Sequence, residues 1–208
     1  MWSPFKLFNK KNKPITINDE WVTANIKEGD VVIDCGANIG QETIPLAKTG
    51  AEVYSFEPNP YAFEELKKAT KDFPKVHCIN KGVLDKNDKM KLYLHENSDD
   101  DELTWSTGSS FVAEKKNVKK DKFVEIEIID LIEFIRNLNT NIKLLKIDVE
   151  GVEYEILDKL IDSGLLNKVE QVLVETHAEK IPELKEKDTA IRKKIEDRKI
   201  TNINLNWI

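Results

Sequence analysis

Apolar and polar positions along this chain follow two rhythms. Residues 31–34, 52–56, 76–79, 143–147 and 169–174 are short, mainly apolar runs bounded by turn residues. They read as strands buried on both faces. Between them the period lengthens to that of a helix. Residues 18–27 carry Trp21, Val22 and Ile26 at helical spacing, with Asn18 as cap and Gly29 as stop. Residues 39–48 form the next predicted helix, and another runs from Asn59-Pro60, a cap followed by a first-position proline, to about residue 71. Residues 130–137 make a short helix. In 151–163 the side chains Val152, Ile156, Leu157, Leu160 and Ile161 share one face, Glu153 and Glu155 fall on the solvated one, and Gly164 follows. A mostly exposed helix is expected over 182–199 and a closing edge strand over 203–207.

A third pattern interrupts the alternation. Residues 89–95, with Met90, Leu92 and Leu94, and residues 123–129 alternate apolar and polar, as half-exposed strands do. The stretch 96–122 between them has no period, and a loop of that length inside a compact domain is usually functional or disordered. Strands alternating with helices give an α/β fold with a largely parallel sheet.

Composition adds limits. The 208 residues suffice for one large domain, read as an N-terminal arm and helix over 1–28 and a single domain over 29–208. No apolar run approaches the roughly 18 residues of a membrane span. The opening residues Met1 to Phe8 are apolar but short and interrupted, more like a docked arm than a signal peptide. Two cysteines, Cys35 and Cys78, make no disulfide framework and point to a reducing, cytoplasmic compartment. A net charge of −6 argues against bulk electrostatic capture of nucleic acid.

The candidate chemistry sits where strands end, because ligands of such sheets bind beyond the carboxyl edge. Four strands end in polar clusters: Asp34-Cys35-Gly36, Glu57-Pro58-Asn59, Asp148-Val149-Glu150-Gly151 and Glu175-Thr176-His177. A single strand-end acid can merely favour the helix that follows; four such ends point to a shared pocket. The turn Asp34-Cys35-Gly36-Ala37-Asn38-Ile39-Gly40 lacks the three-glycine spacing of a dinucleotide fingerprint. An acid at its entrance would repel pyrophosphate and favour a sulfonium or ammonium ligand. This favours S-adenosylmethionine over NAD, with Glu57 placed to take ribose hydroxyls.

Residues 32–40 followed by Phe56-Glu57-Pro58-Asn59 resemble the cofactor half of class I S-adenosylmethionine-dependent methyltransferases. Leu144-Leu145-Lys146-Ile147-Asp148-Val149-Glu150-Gly151-Val152-Glu153, with Val174-Glu175-Thr176-His177, resembles the FkbM family in particular. Gly108-Ser109-Ser110-Phe111 and residues 124–135 are similar to that family's middle section, although Ile129 stands where leucine usually precedes the aspartate. The resemblance spans about residues 29–177. It implies a Rossmann-like, seven-stranded, mostly parallel sheet with helices on both faces and an antiparallel edge. It also implies methyl transfer to oxygen, often a sugar or polyketide hydroxyl. Carried over, Asp34, Gly36, Ala37, Asn38 and Gly40 would line the methionine and ribose end of the cofactor. Glu57 would take the ribose hydroxyls beside Pro58 and Asn59, and Asn80 would lie near the adenine.

In-line placement of the acceptor supplies much of such a reaction's acceleration, and an alcohol must also lose its proton. Asp148 and His177 are the candidate bases, with Glu150 and Glu175 next. Asp148, Glu150 and His177 could instead hold a divalent metal, although nothing in their spacing demands one. Trp105, Ser109 and Ser110 in the long loop are candidates for stacking on and hydrogen bonding a small carbohydrate acceptor; a lid without direct contact fits them equally. Lys115, Lys116, Lys119 and Lys120 read as solvated charges or as steering for an anionic acceptor. Methylation of nucleic acid or protein, a binding module without turnover, and an NAD-dependent oxidoreductase are the competing readings.

Overall fold

The computed structural model describes residues 19–95 and 118–207. Two sheets organise the described residues. The main one contains β1 (Val31–Cys35), β2 (Glu52–Phe56), β3 (Val76–Ile79), β7 (Ile142–Ile147), β8 (Val169–Val174) and β9 (Ile203–Asn204) in the order β3-β2-β1-β7-β8-β9. Every neighbouring pair in it is parallel. The smaller sheet has the order β4-β6-β5, from β4 (Gly82–Leu84), β5 (Asp88–His95) and β6 (Val118–Asp130). The antiparallel pairing expected at an edge is found here, between β5 and β6, rather than in the main sheet. Six strands, not seven, pair in the main sheet among the described residues.

Side chains of the parallel strands alternate between two apolar layers, as the pleat requires. Val32, Val53, Leu144 and Leu173 face one side, packed with Leu46, Trp207, Val22 of α1 (Asp19–Asn25) and Ile26 just after that helix. Ile33, Phe56, Leu145, Ile147, Val172 and Val174 face the other, against α4 (Leu131–Leu138), α5 (Glu153–Asp162) and α6 (Lys185–Asp197). Helices on both faces complete the Rossmann-like arrangement. The remaining helices, α2 (Thr43–Lys48) and α3 (Pro60–Thr70), follow β1 and β2. Among the described residues no helix is long and apolar enough to cross a membrane.

The strand order reverses at β1, whose neighbours are β2 on one side and β7 on the other. A crevice opens at such a switch point. At its base the ends of β1 and β7 nearly touch: a Cβ on Gly36, whose φ is +84°, would lie 1.8 Å from the Asp148 carbonyl oxygen. Glycine is therefore required there by the approach of two backbones.

Several expected boundaries move. The helix after β1 begins at Thr43 rather than Ile39, because residues 36–42 are occupied by turns; Asn38 has φ 48° and Gly40 φ 98°. β6 begins at Val118, inside the stretch expected as loop. β4 has three residues, too few to show a period. The opening arm, residues 96–117 and the candidate acceptor residues Trp105, Ser109 and Ser110 lie outside the described residues.

Candidate active site

A cavity of about 220 Å³ opens at the carboxyl edge of β1, β2 and β7, with the small sheet as its far wall. Gly36, Asn38, Glu57, Pro58, Asn59, Asp148 and Glu150, all expected from the sequence, line it. Gln41, Glu42, Lys81 and Leu92 line it as well and carried no recognisable signal.

Glu57 dominates one end. It is 6% exposed, and its carboxylate accepts from the Asn38 backbone N–H at 2.8 Å and from that of Asn59 at 2.7 Å. Burial pushes its pKa up to about 7, against the pull of those two donors. Each oxygen keeps a further lone pair, so the group can still accept hydroxyl hydrogens from the cavity. Asn59 also caps α3, its side chain accepting from the Tyr61 N–H at 3.0 Å. Asn80 does not line the cavity. Its amide donates to the carbonyls of Glu57 at 2.8 Å and Pro58 at 3.2 Å, so it holds the loop that carries Glu57.

Asp34 departs from expectation. Its carboxylate does not face the cavity; it is 0% exposed beneath the turn. Thr43 Oγ1 donates to it at 2.6 Å, and Lys146 Nζ stands 3.1 Å away. Lys146, 1% exposed, also donates to the Gly36 carbonyl at 2.7 Å and lies 3.8 Å from Asp148. Burial alone would lower the pKa of that ammonium, but Asp34 and Asp148 outweigh it and hold the group charged. The acid at the turn's entrance is thus neutralised inside the protein and selects no ligand charge. Ala37 and Gly40 likewise shape the turn without lining the cavity: Ala37 is fully buried, its N–H bonded to the Phe56 carbonyl, and a Cβ on Gly40 would press on Leu66.

The other end of the cavity is a cluster around His177, which is fully buried. Its Nε2 stands 3.2 Å from Glu150, 3.8 Å from Asp148 and 3.8 Å from Glu175, and its Nδ1 stands 3.3 Å from Glu153. Among the described residues, neither ring nitrogen has a hydrogen-bond partner within bonding geometry. Burial lowers the imidazole pKa, but Glu150 and Glu153 outweigh it and raise it to about 10. As the cluster stands, the ring holds its proton at neutral pH and is no free base. Asp148, 26% exposed at the cavity wall, is raised by burial to about 6, with Lys146 opposing. Glu150 faces the same cavity on a left-handed backbone, φ 56°, a conformation that costs a non-glycine residue energy and persists where the surroundings enforce it.

Glu153 was expected on a solvated helix face and is instead fully buried. The helix begins two residues later than the apolar pattern suggests, so Glu153 stands in its first turn. There its carboxylate accepts from the N–H groups of Gly151 at 2.9 Å and His177 at 2.8 Å. It joins β8's end to α5. Glu155 is half-buried and paired with Lys187.

Comparison with known proteins gives the chain a family. The domain family described as Methyltransferase FkbM domain matches residues 34–199. The hexuronic acid methyltransferase AglP of Haloferax volcanii is 28% identical over 153 residues, covering 73% of this chain and 58% of its own length. The chain thus spans less than two thirds of that curated relative. A putative rRNA methylase from Clostridium thermocellum is 16% identical, with TM-score 0.38 over 69% of this chain and 58% of its own. An rRNA methylase from Streptococcus thermophilus is 12% identical, with TM-score 0.41 over 74% and 66%.

Proposed function

We propose a function from one premise: this chain belongs to the FkbM methyltransferase domain family, whose match runs over residues 34–199. The reading is an S-adenosylmethionine-dependent O-methyltransferase whose acceptor is a hydroxyl-bearing carbohydrate or a related small molecule. The observation that carries it is Glu57, a buried carboxylate pinned by two backbone N–H groups with lone pairs left toward the cavity. A ribose diol offers two such donors, so the residues present fit the cofactor at this end.

Asn38, Glu57 and Asn59 would hold the cofactor's nucleoside half. Gly36, whose carbonyl is fixed by Lys146, would shape the floor beneath its methionine half. When bound, S-adenosylmethionine supplies a methyl group already activated on a sulfonium. The chain's own work is then to orient an acceptor hydroxyl and to take its proton. Asp148 and Glu150 are the carboxylates that face the cavity for that purpose. His177, buried and protonated, would position both rather than act as the base.

The acceptor class rests on the relative named as a hexuronic acid methyltransferase. Incubating the protein with methyl-labelled cofactor and a panel of neutral sugars, hexuronic acids, RNA and protein tests it. Label on a carbohydrate is expected; label on RNA or protein alone would overturn the acceptor assignment.

A further inference from the structure

The His177 cluster holds more negative charge than proton positioning requires. Asp148, Glu150, Glu153 and Glu175 converge on one imidazole. Of the nearby cations, Lys146 is shared with Asp34, and Lys180 reaches Glu175 from the solvent side at 2.7 Å with over half its side chain exposed. One ligand atom each from Asp148, Glu175 and His177 lie within 4.8 Å of one another. Ligands of a hexacoordinate cation with bonds of about 2.1 Å are separated by roughly 3.0 to 4.3 Å, so a modest closure of these side chains completes a site.

An acidic cluster alone would not make such a site, but the histidine supplies an independent observation. His177 is fully buried, and among the described residues its Nε2 has no hydrogen-bond partner while facing the carboxylates of Asp148, Glu150 and Glu175. Behind it, Nδ1 faces Glu153, itself anchored by two backbone N–H groups. A carboxylate behind an imidazole is the arrangement that orients a metal-binding ring and fixes its tautomer.

We propose that Asp148, Glu175 and His177 bind one divalent cation of the Mn²⁺ or Mg²⁺ class, with Glu153 positioning the histidine. Two carboxylates with one imidazole suit such a cation, and Asp148 lines the cavity, so the remaining positions open toward the acceptor. The cation replaces the proton on Nε2, and Lys180 shares or yields Glu175. Its role depends on the methyltransferase reading: an acceptor hydroxyl bound to the cation is oriented and more acidic, which leaves Glu150 to receive its proton.

The test is Mn²⁺ titration of the full chain, following loss of the free-ion electron paramagnetic resonance signal, for wild type, Glu175→Gln and His177→Gln. Thermal melting of each variant checks its fold. Glu175 stands partly exposed at a strand end, so Glu175→Gln keeps the test usable if His177→Gln does not fold. Expected is saturable uptake of one Mn²⁺ per chain, weakened at least about tenfold by Glu175→Gln. No saturable uptake by wild type, or equal uptake by wild type and a folded Glu175→Gln, would overturn the site. Binding of S-adenosylhomocysteine is measured separately on the same protein. Its loss would count against the function proposed above and leave the cation site standing.

Discussion

Replacing Lys146 by methionine keeps the length and apolar volume of the stem and removes its charge. In the structure that charge is 3.1 Å from Asp34, 3.8 Å from Asp148 and bonded to the Gly36 carbonyl, with 1% exposure for the lysine and none for Asp34. Lys146→Met therefore leaves a buried carboxylate whose one remaining partner among the described residues is the Thr43 hydroxyl. Breaking a buried pair from one side costs about 3–5 kcal/mol, mostly through the charge left behind. For a domain of this size each kcal/mol moves the midpoint by about 2–4 °C, so a drop of roughly 6–20 °C is expected. Asp34→Asn/Lys146→Met together remove both charges and should recover at least about 1 kcal/mol relative to the sum of the single changes. Urea unfolding of wild type, both single variants and the double variant gives the coupling directly. Because the pair is buried, the coupling should persist at high salt. Single losses below about 1 kcal/mol that simply add would refute the claim that this pair holds the turn.

Four further outcomes follow from the same geometry. Glu57, with a pKa near 7, must be ionised to accept two hydroxyls, so S-adenosylhomocysteine affinity should fall as pH drops through 7. Roughly a tenth of the group is ionised one unit below its pKa, which makes the apparent Kd at pH 6 about tenfold weaker than at pH 8; calorimetry at both values checks this, and Glu57→Gln should flatten the profile. The same raised pKa favours folding below the unfolded carboxylate range and loses that contribution as pH rises through 7, so wild-type stability should gain from Glu57 on the acid side. Gly36→Ala places a methyl 1.8 Å from the Asp148 carbonyl on a left-handed backbone and should cost more than about 3 kcal/mol in urea unfolding. Asn59→Ala removes the α3 cap and should lower stability by about 1 kcal/mol, read the same way.

Elements whose signal is local were legible in the sequence. β3 and β8 appear at the expected residues, and α3 starts at the cap-and-proline pair Asn59-Pro60. The cavity wall formed by Gly36, Glu57, Asp148 and Glu150 was legible too, because strand-end acids in a parallel sheet converge by topology. Features built from distant partners were not. Lys146 reads as a polar residue in an apolar strand, and only the β1–β7 register sets it opposite Asp34, 112 residues earlier. That register is the signal that could have found the pair, since a lysine in a doubly covered strand needs a buried acid. Glu153 was misread because helical phase predicts a face, whereas a first-turn carboxylate can fold back onto free N–H groups. The start of β6 carries Lys119, Lys120 and Lys122, so its strand character comes from backbone pairing with β5 rather than from an apolar period.

The central claim is a cofactor site built on Glu57, and calorimetric titration with S-adenosylhomocysteine, with NAD as control, tests it most directly. Saturable binding of S-adenosylhomocysteine alone, abolished in a folded Glu57→Ala protein, is the predicted result. Binding of NAD instead, or S-adenosylhomocysteine binding that survives Glu57→Ala unchanged, would contradict it.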